Sequence, residues 1–416
     1  MPPSPPPVPA PAPRRWYLLG VLTCAYGLGA FGMLGVSPLS PALMDGFGLS
    51  RLDIAFIVPS VYVGGLLFSL PGGHVADRWG VRPTLLGALA VGGLGLAVAA
   101  LAPRFAVFLL CLVFAGSGWS VVNPVLGKAI VDLFSLTERG IAMGIKQMGL
   151  TLGGGLSALV LPAIAATWGW RVAIAVCAAG MLAPVAFAWR SLRAVPRPTP
   201  TLSGRAGTRM DWWWTRRSAL LVLFAAGVAL GMVQSAVLAY LPVFSVQALG
   251  FTPVGAGVLI AASQIGGAVA RLGLGVASDR WSSGRRPPWL VLTSALGAVI
   301  FLVYAAVPTA HPVWATLLAF LAGIGAYGWV GIYFIISAEA GGVTRAGLLS
   351  GVGFAAIVVG LLVGAPTFGL VLQAFDAYGA AWAVFAVLSG LVALVVAGYG
   401  AAIHRECTLT RYADGS

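Results

Sequence analysis

Apolar runs of close to 20 residues alternate along this chain with short polar connections. Twelve stand at 16–36, 54–71, 84–102, 105–127, 141–165, 170–190, 218–242, 254–276, 289–307, 312–337, 346–371 and 379–402. About 20 helical residues cross the ~30 Å hydrocarbon core of a bilayer. None of the runs alternates apolar and polar positions as a barrel strand would, and a helix satisfies its own backbone inside lipid. The pattern therefore predicts an all-α integral membrane protein of twelve transmembrane helices. The longest polar interval, 191–217, holds Arg193, Arg197, Arg205, Arg209, Arg216 and Arg217 and predicts a linker between two sets of six.

Composition agrees: 59% of residues are hydrophobic and 8% charged, with a mean hydropathy of +0.97. Soluble domains are about 25% charged. The net charge of +13 would suggest nucleic acid, but its distribution excludes that reading. Of 24 Lys and Arg, Arg51, Arg104 and Arg171 alone fall on the side opposite the N-terminus in the twelve-helix count, with Lys146 and Arg271 assigned to the nearest helix ends. That is the positive-inside bias, which puts both termini in the cytoplasm and the chain in the cytoplasmic (inner) membrane. The expected organisation is a Pro-rich cytoplasmic tail at 1–15, a bundle at 16–190, the linker at 191–217, a bundle at 218–402 and a cytoplasmic tail at 403–416. The opening MPPSPPPVPAPAP has no apolar core of a signal peptide. Cys24, Cys111, Cys177 and Cys407 are scattered without CxxC spacing, so no metal, cofactor or disulfide is expected.

The two halves repeat. Gly73 is followed by Asp77-Arg78-Trp79 and then Gly80-x-Arg82-Pro83; Gly275 is followed by Asp279-Arg280-Trp281 and then Gly284-x-Arg286-Pro287. Each copy follows the second helix of its half. A second echo precedes each fifth helix, Asp132…Glu138-Arg139-Gly140 against Glu339…Arg345-Ala346-Gly347. Asp77 and Asp279 stand 202 positions apart, Arg139 and Arg345 206. Two pairs at nearly one offset mark a duplicated six-helix unit.

The Gly-x3-Asp-Arg-x-Gly-x-Arg loop, present in a weaker second copy, resembles the signature loop of the major facilitator superfamily of secondary transporters. It departs from it in having Val81 directly after the second glycine. The resemblance implies two pseudo-symmetric bundles with substrate held between them near mid-membrane, and alternating access by rocking. It also places the loop against the start of the eleventh helix near Arg345–Leu349. On the residues themselves, Gly73 and Gly80 permit a tight turn, and Asp77 can accept from the unpaired N–H groups of a helix start. Arg78 and Arg82 can meet Asp132 or Glu138. Gly73, Asp77, Arg78, Gly80, Arg82, Asp132, Glu138, Arg139, Asp279, Arg280, Glu339 and Arg345 are thus candidate gating residues that clasp the cytoplasmic side.

Ionisable groups inside spans are functional candidates. None of the eleven acids lies in the middle of a span, and His74, His311 and His404 sit at loops or ends. No buried carboxylate or histidine relay is therefore visible. Two cations do fall inside spans: Lys146, seven residues after Arg139, and Arg271, eight before Asp279. Helical side chains lean toward their own N-terminus. Lys146 is thereby aimed toward cytoplasmic water and is expected to snorkel, whereas Arg271 is aimed toward the membrane centre. In the resembled fold the fifth and eighth helices face each other, and two cations there favour an anion.

The Arg271-x3-Gly275-x3-Asp279-Arg280 pattern is also similar to that of nitrate/nitrite porters and some carboxylate carriers, where the arginine binds the anion. The matching arginine of nitrate porters falls here on Ser69, which leaves organic anions. Further cavity candidates are Tyr26, Trp119, Asn123, Gln147, Gln234, Tyr240, Gln264, Tyr327, Trp329 and Tyr333. Asn123-Pro124 stands out, because proline frees a backbone carbonyl within a helix. The run Gly149, Gly153, Gly154, Gly155 allows close packing of the fifth helix. It is loosely similar to the Gly-Pro pattern of drug–proton antiporters, but their arginine falls here on Leu112.

The expected protein is a transporter of a small organic anion, no enzyme, with the bilayer and its solute as partners, acting as a monomer. The alternatives are a multidrug efflux carrier or a ligand sensor of the same fold.

Overall fold

The computed structural model describes residues 12–134, 139–192, 218–281, 285–306 and 310–413. Within them, the side chains of 12–13, 67–74, 76–77, 131–132, 139–141, 190, 279–281, 338, 341–348 and 405–413 are not described. The Pro-rich tail up to residue 11, the linker from 193 to 217, Glu138 and residues 414–416 lie outside the described residues. So do the side chains of Asp77, Asp132, Arg139, Asp279, Arg280 and Arg345, together with the surroundings of Gly73.

Thirteen α-helices run through the described residues: α1 (Ala12–Leu34), α2 (Ser40–Phe47), α3 (Ile57–Trp79), α4 (Val81–Ala100), α5 (Phe105–Leu133), α6 (Arg139–Trp168), α7 (Trp170–Ser191), α8 (Ser218–Gln247), α9 (Pro253–Trp281), α10 (Pro287–Ala306), α11 (Pro312–Tyr327), α12 (Val330–Phe375) and α13 (Tyr378–Ala413). Eleven stretches among the described residues are long and apolar enough to cross a membrane, and a shorter apolar stretch, Asp53–Leu66, marks the predicted second span.

Two departures from the predicted spans matter. A short helix, α2, lies in the connection between the first two spans, entered through Pro41 and closed by a left-handed Gly48. The predicted tenth span is divided by a turn: α11 ends at Tyr327 and α12 begins at Val330 and runs to Phe375, with Gly328 and Trp329 between them still in right-handed helical conformation.

Packing repeats with the sequence. In the first half α1 packs on α6, α3 on α5, and α4 on α7; in the second, α8 packs on α12, α9 on α11, and α10 on α13. These are the same three pairings in the same order of spans, so the molecule is two pseudo-symmetric six-helix bundles. In lipid there is no hydrophobic drive between helices, so close van der Waals approach must hold them together. Gly64 and Gly116 bring α3 and α5 so near that a Cβ on either would collide with the carbonyl of Val113 or Val61. Gly266 and Gly323 do the same between α9 and α11, against Phe320 and Ser263. Gly64 and Gly266 stand 202 positions apart, the offset of the two Asp-Arg-Trp motifs. Outward-facing Leu101, Leu110 and Leu394 are largely exposed, as suits a surface against acyl chains.

The bundles meet along two seams, α6 against α9 and α3 against α12. The fifth-span glycines divide their work. Gly149 and Gly153 press on the α1 backbone at Thr23 and Gly27, Gly154 faces Gln264 of the other bundle, and Gly155 meets open space.

Candidate functional site

The α6–α9 seam sets the geometry. A Cβ on Gly154 would lie 3.8 Å from Gln264, and one on Gly144 would lie 4.0 Å from Leu272. The helices therefore run antiparallel, and Lys146 and Arg271 come to one level from opposite bundles.

Lys146 is 4% exposed. Its Nζ donates to Asn123 Oδ1 of α5 at 2.6 Å and stands 5.3 Å from the centre of the Tyr26 ring. The expected snorkelling does not occur. An amide oxygen and an aromatic face satisfy the ammonium where it lies, so it has no need to reach bulk water. Tyr26 of α1 is itself fixed by stacking on Trp119 of α5, with centroids 5.5 Å apart.

Arg271 is partly buried, and its Nε donates at 2.9 Å to the backbone carbonyl of Tyr327. That carbonyl sits where α11 ends. Inside a continuous helix it would accept from the amide four residues on; the interruption at Gly328 and Trp329 releases it. Broken helices at membrane depth are tolerated where the freed groups find partners, and Arg271 is one. The guanidinium interacts electrostatically with Tyr26, Tyr327 and Tyr62, so Tyr26 lies between the two cations. Among the described residues neither cation has a carboxylate partner.

The sequence candidates thus divide. Arg271, Lys146, Asn123, Tyr26, Tyr327 and Trp119 form one cluster. Gln147 adjoins Lys146 and Gln264 lies on the seam, the Gln147 Oε1 being buried with no hydrogen-bond partner among the described residues. Gln234 also has a buried Oε1 without such a partner, but no described contact joins it to the cations. Trp329 and Tyr333 are fully buried in the second bundle, with Tyr333 Oη donating to the Gly353 carbonyl at 3.3 Å. They are packing residues, not cavity lining. Tyr62 of α3 belongs to the cluster and was not singled out from the sequence; a lone tyrosine within a span carries no distinguishing signal.

A few of the candidate gating residues have described side chains. Gly80 makes the α3–α4 turn at φ 88°, a conformation that favours glycine. Arg78 is exposed. Arg82 stacks on Trp189 of α7, 4.0 Å from the ring centre, within its own bundle. Arg286 and Glu339 pair at 3.1 Å within the second bundle. Each of these described contacts lies within one bundle, while the clasp partners Asp77, Asp132, Glu138, Arg139, Asp279, Arg280 and Arg345 lie outside the described side chains.

The described charged contact between bundles lies at the opposite end. Arg51 pairs with Asp376 at 2.9 Å and bonds Gln247, whose Oε1 also accepts from Tyr378. Tyr240, expected in the cavity, donates instead to the Arg51 carbonyl at 2.9 Å. This outer clasp was not foreseen from the sequence.

A sequence model of the Major Facilitator Superfamily matches residues 22–354. The chain belongs to that superfamily. It is a multi-pass membrane protein of this superfamily. The hexuronate transporter of Bacillus subtilis is 29% identical to it over 157 residues, 37% of each chain, so the chain spans little more than a third of that relative. A probable nitrate/nitrite transporter of Mycobacterium tuberculosis is 26% identical over 310 residues, 71% of this chain and 75% of the relative. A crystal structure of a bacterial homolog of the human lysosomal transporter Spinster superposes with a TM-score of 0.76 over 97% of this chain and 99% of that one, at 16% identity. This superfamily member therefore has that fold, whatever solute it carries.

Proposed function

We propose that this protein carries a small organic anion across the cytoplasmic membrane by alternating access, with both termini in the cytoplasm. The observation that carries the reading is the meeting of Arg271 and Lys146, one from each bundle, at Tyr26 with no carboxylate partner among the described residues. Two cations held out of water without an acid are costly unless an anion joins them. Arg271 binds through its terminal N–H groups while Nε holds the α11 break, and a planar fork of this kind suits a carboxylate. Lys146 supplies the second pole, and the Gln147 amide is available to a hydroxyl on the solute. The name of the hexuronate transporter supports the class; that of the nitrate/nitrite transporter supports an anion in general. The outer clasp closes one side, and rocking along the α6–α9 and α3–α12 seams opens it.

The test is thermal stabilisation of the purified protein by sodium glucuronate and sodium nitrate, with glucose as the neutral control. Glucuronate raises the melting temperature, and Arg271→Ala weakens its binding about 10- to 100-fold, as expected for the loss of a charge-assisted hydrogen bond worth about 1.5–3 kcal/mol. Equal stabilisation by glucose, or equal glucuronate binding by the variant, overturns the reading. Stabilisation by nitrate alone keeps the anion and replaces the organic class.

A further inference from the structure

The two cations of the site are not chemically equivalent. An arginine stays charged at any physiological pH, whereas a buried lysine readily gives up its proton. What surrounds Lys146 imposes no charge on it. Its hydrogen-bond partner is the neutral Asn123 Oδ1, at 2.6 Å. A neutral amine still has N–H groups to donate, so this bond survives deprotonation. An aspartate in that place would hold the lysine charged.

The elements around it point the same way. From α1 it is faced by Tyr26, and across the seam α9 presents Arg271, a like charge that also interacts with Tyr62 of α3 and Tyr327 of α11. The other described charges on its neighbours lie toward helix ends: Arg14 and Arg15 on α1, Lys128 on α5, Asp45 on α2, and Arg171 on α7, which bonds the Ala102 carbonyl. None of these is paired with Lys146.

The consequence concerns the unloaded carrier. With solute gone, Lys146 stays buried with an amide oxygen and an aromatic ring as its described partners, and the bundles must still rock past each other. Burial among neutral groups disfavours the charged form. Arg271 cannot relieve this; Lys146 can.

We propose that Lys146 is the coupling group of a proton–anion symporter, protonated while the anion is bound and neutral while the empty carrier reorients. The proposal rests on the anion reading above. On the loading side the Nζ lone pair takes a proton from hydronium, leaving water, and the ammonium and Arg271 receive the anion. On the other side the anion leaves, the N–H bond breaks toward water, and hydronium is released. One proton crosses with each anion, no electrons are exchanged, and a monoanion moves without net charge.

The experiment uses the full chain in proteoliposomes with a pH dye trapped inside and the potential clamped by potassium and valinomycin. Radiolabelled glucuronate is the probe, followed by nitrate. For wild type, an inward gradient of the anion acidifies the lumen by one proton per anion, and external acid speeds uptake several-fold. In Lys146→Arg uptake falls, and what remains moves no protons and does not respond to pH. Asn123→Asp likewise loses the pH response, because its carboxylate keeps the ammonium charged. If both variants fail to fold, the wild-type proton count alone decides. Uptake by wild type without proton movement overturns the coupling and leaves the anion reading standing, as does proton-coupled uptake retained in Lys146→Arg. Neither binding nor uptake of either anion overturns both.

Discussion

At the scale of single residues, Lys146 shows how far a charge pattern can be read. An ionisable residue within an apolar run is conspicuous, so Lys146 and Arg271 stand out from the sequence as they do in the structure. Side-chain direction was a weaker guide. It predicted that Lys146 would reach for water, but Asn123 on another helix supplied an acceptor 2.6 Å away. Aromatic residues were less legible still. Tyr26 and Tyr333 look alike in sequence, yet one stands beside the cations and the other donates to Gly353 deep in a bundle. Only tertiary packing separates them. The Asn123 contact carries its own prediction. Asn123→Ala removes the acceptor of a buried ammonium and costs about 1.5–3 kcal/mol, read by equilibrium unfolding in mixed micelles. Adding Lys146→Met recovers part of that loss, because the two positions are coupled. Additive losses in the double variant would mean that the bond contributes nothing.

At the scale of elements, the helices were legible because length and hydropathy announce a span. Their interruptions were not. The chain contains 57 glycines, so Gly328 carries no mark of the break it adjoins. Nor does Gly266 announce that α11 presses on it. Position within one helix makes the distinction testable. Gly266→Leu drives a side chain into the Phe320 carbonyl, whereas Gly273→Leu, two turns further along α9, enters open space. Overpacking of this kind costs about 1–3 kcal/mol. The first variant should lower the melting temperature and the monodisperse yield on size exclusion, and the second should leave both close to wild type. Equal behaviour of the two would remove close approach as the basis of the α9–α11 pairing.

At the scale of the molecule, repeated motifs foretold two related bundles, and the matching helix pairs bear this out. The outer clasp was hidden because Arg51 and Asp376 lie 325 positions apart and belong to no repeat. Both are substantially solvent-accessible, at 41% and 91%, and an exposed pair contributes only about 0–1 kcal/mol. Weak attachment suits a contact that has to part in every cycle. In a background freed of native cysteines, Arg51→Cys and Asp376→Cys joined by a short bis-maleimide should arrest transport while solute binding from the cytoplasmic side persists. Undiminished transport by the joined protein would show that the outer ends need not separate. Arg271, with no carboxylate partner among the described residues, has an electrical consequence as well. The field across a carrier falls mainly over whichever end is shut. In the proposed orientation, with the clasp closed, the site shares the potential of the cytoplasm, which in an interior-negative cell draws cations toward it. The work is as much as about 2.3 kcal/mol per charge for each 100 mV. Under the proposed coupling the loaded site, with Lys146 protonated, Arg271 charged and a monoanion bound, carries the same single positive charge as the empty one, so voltage biases both states alike.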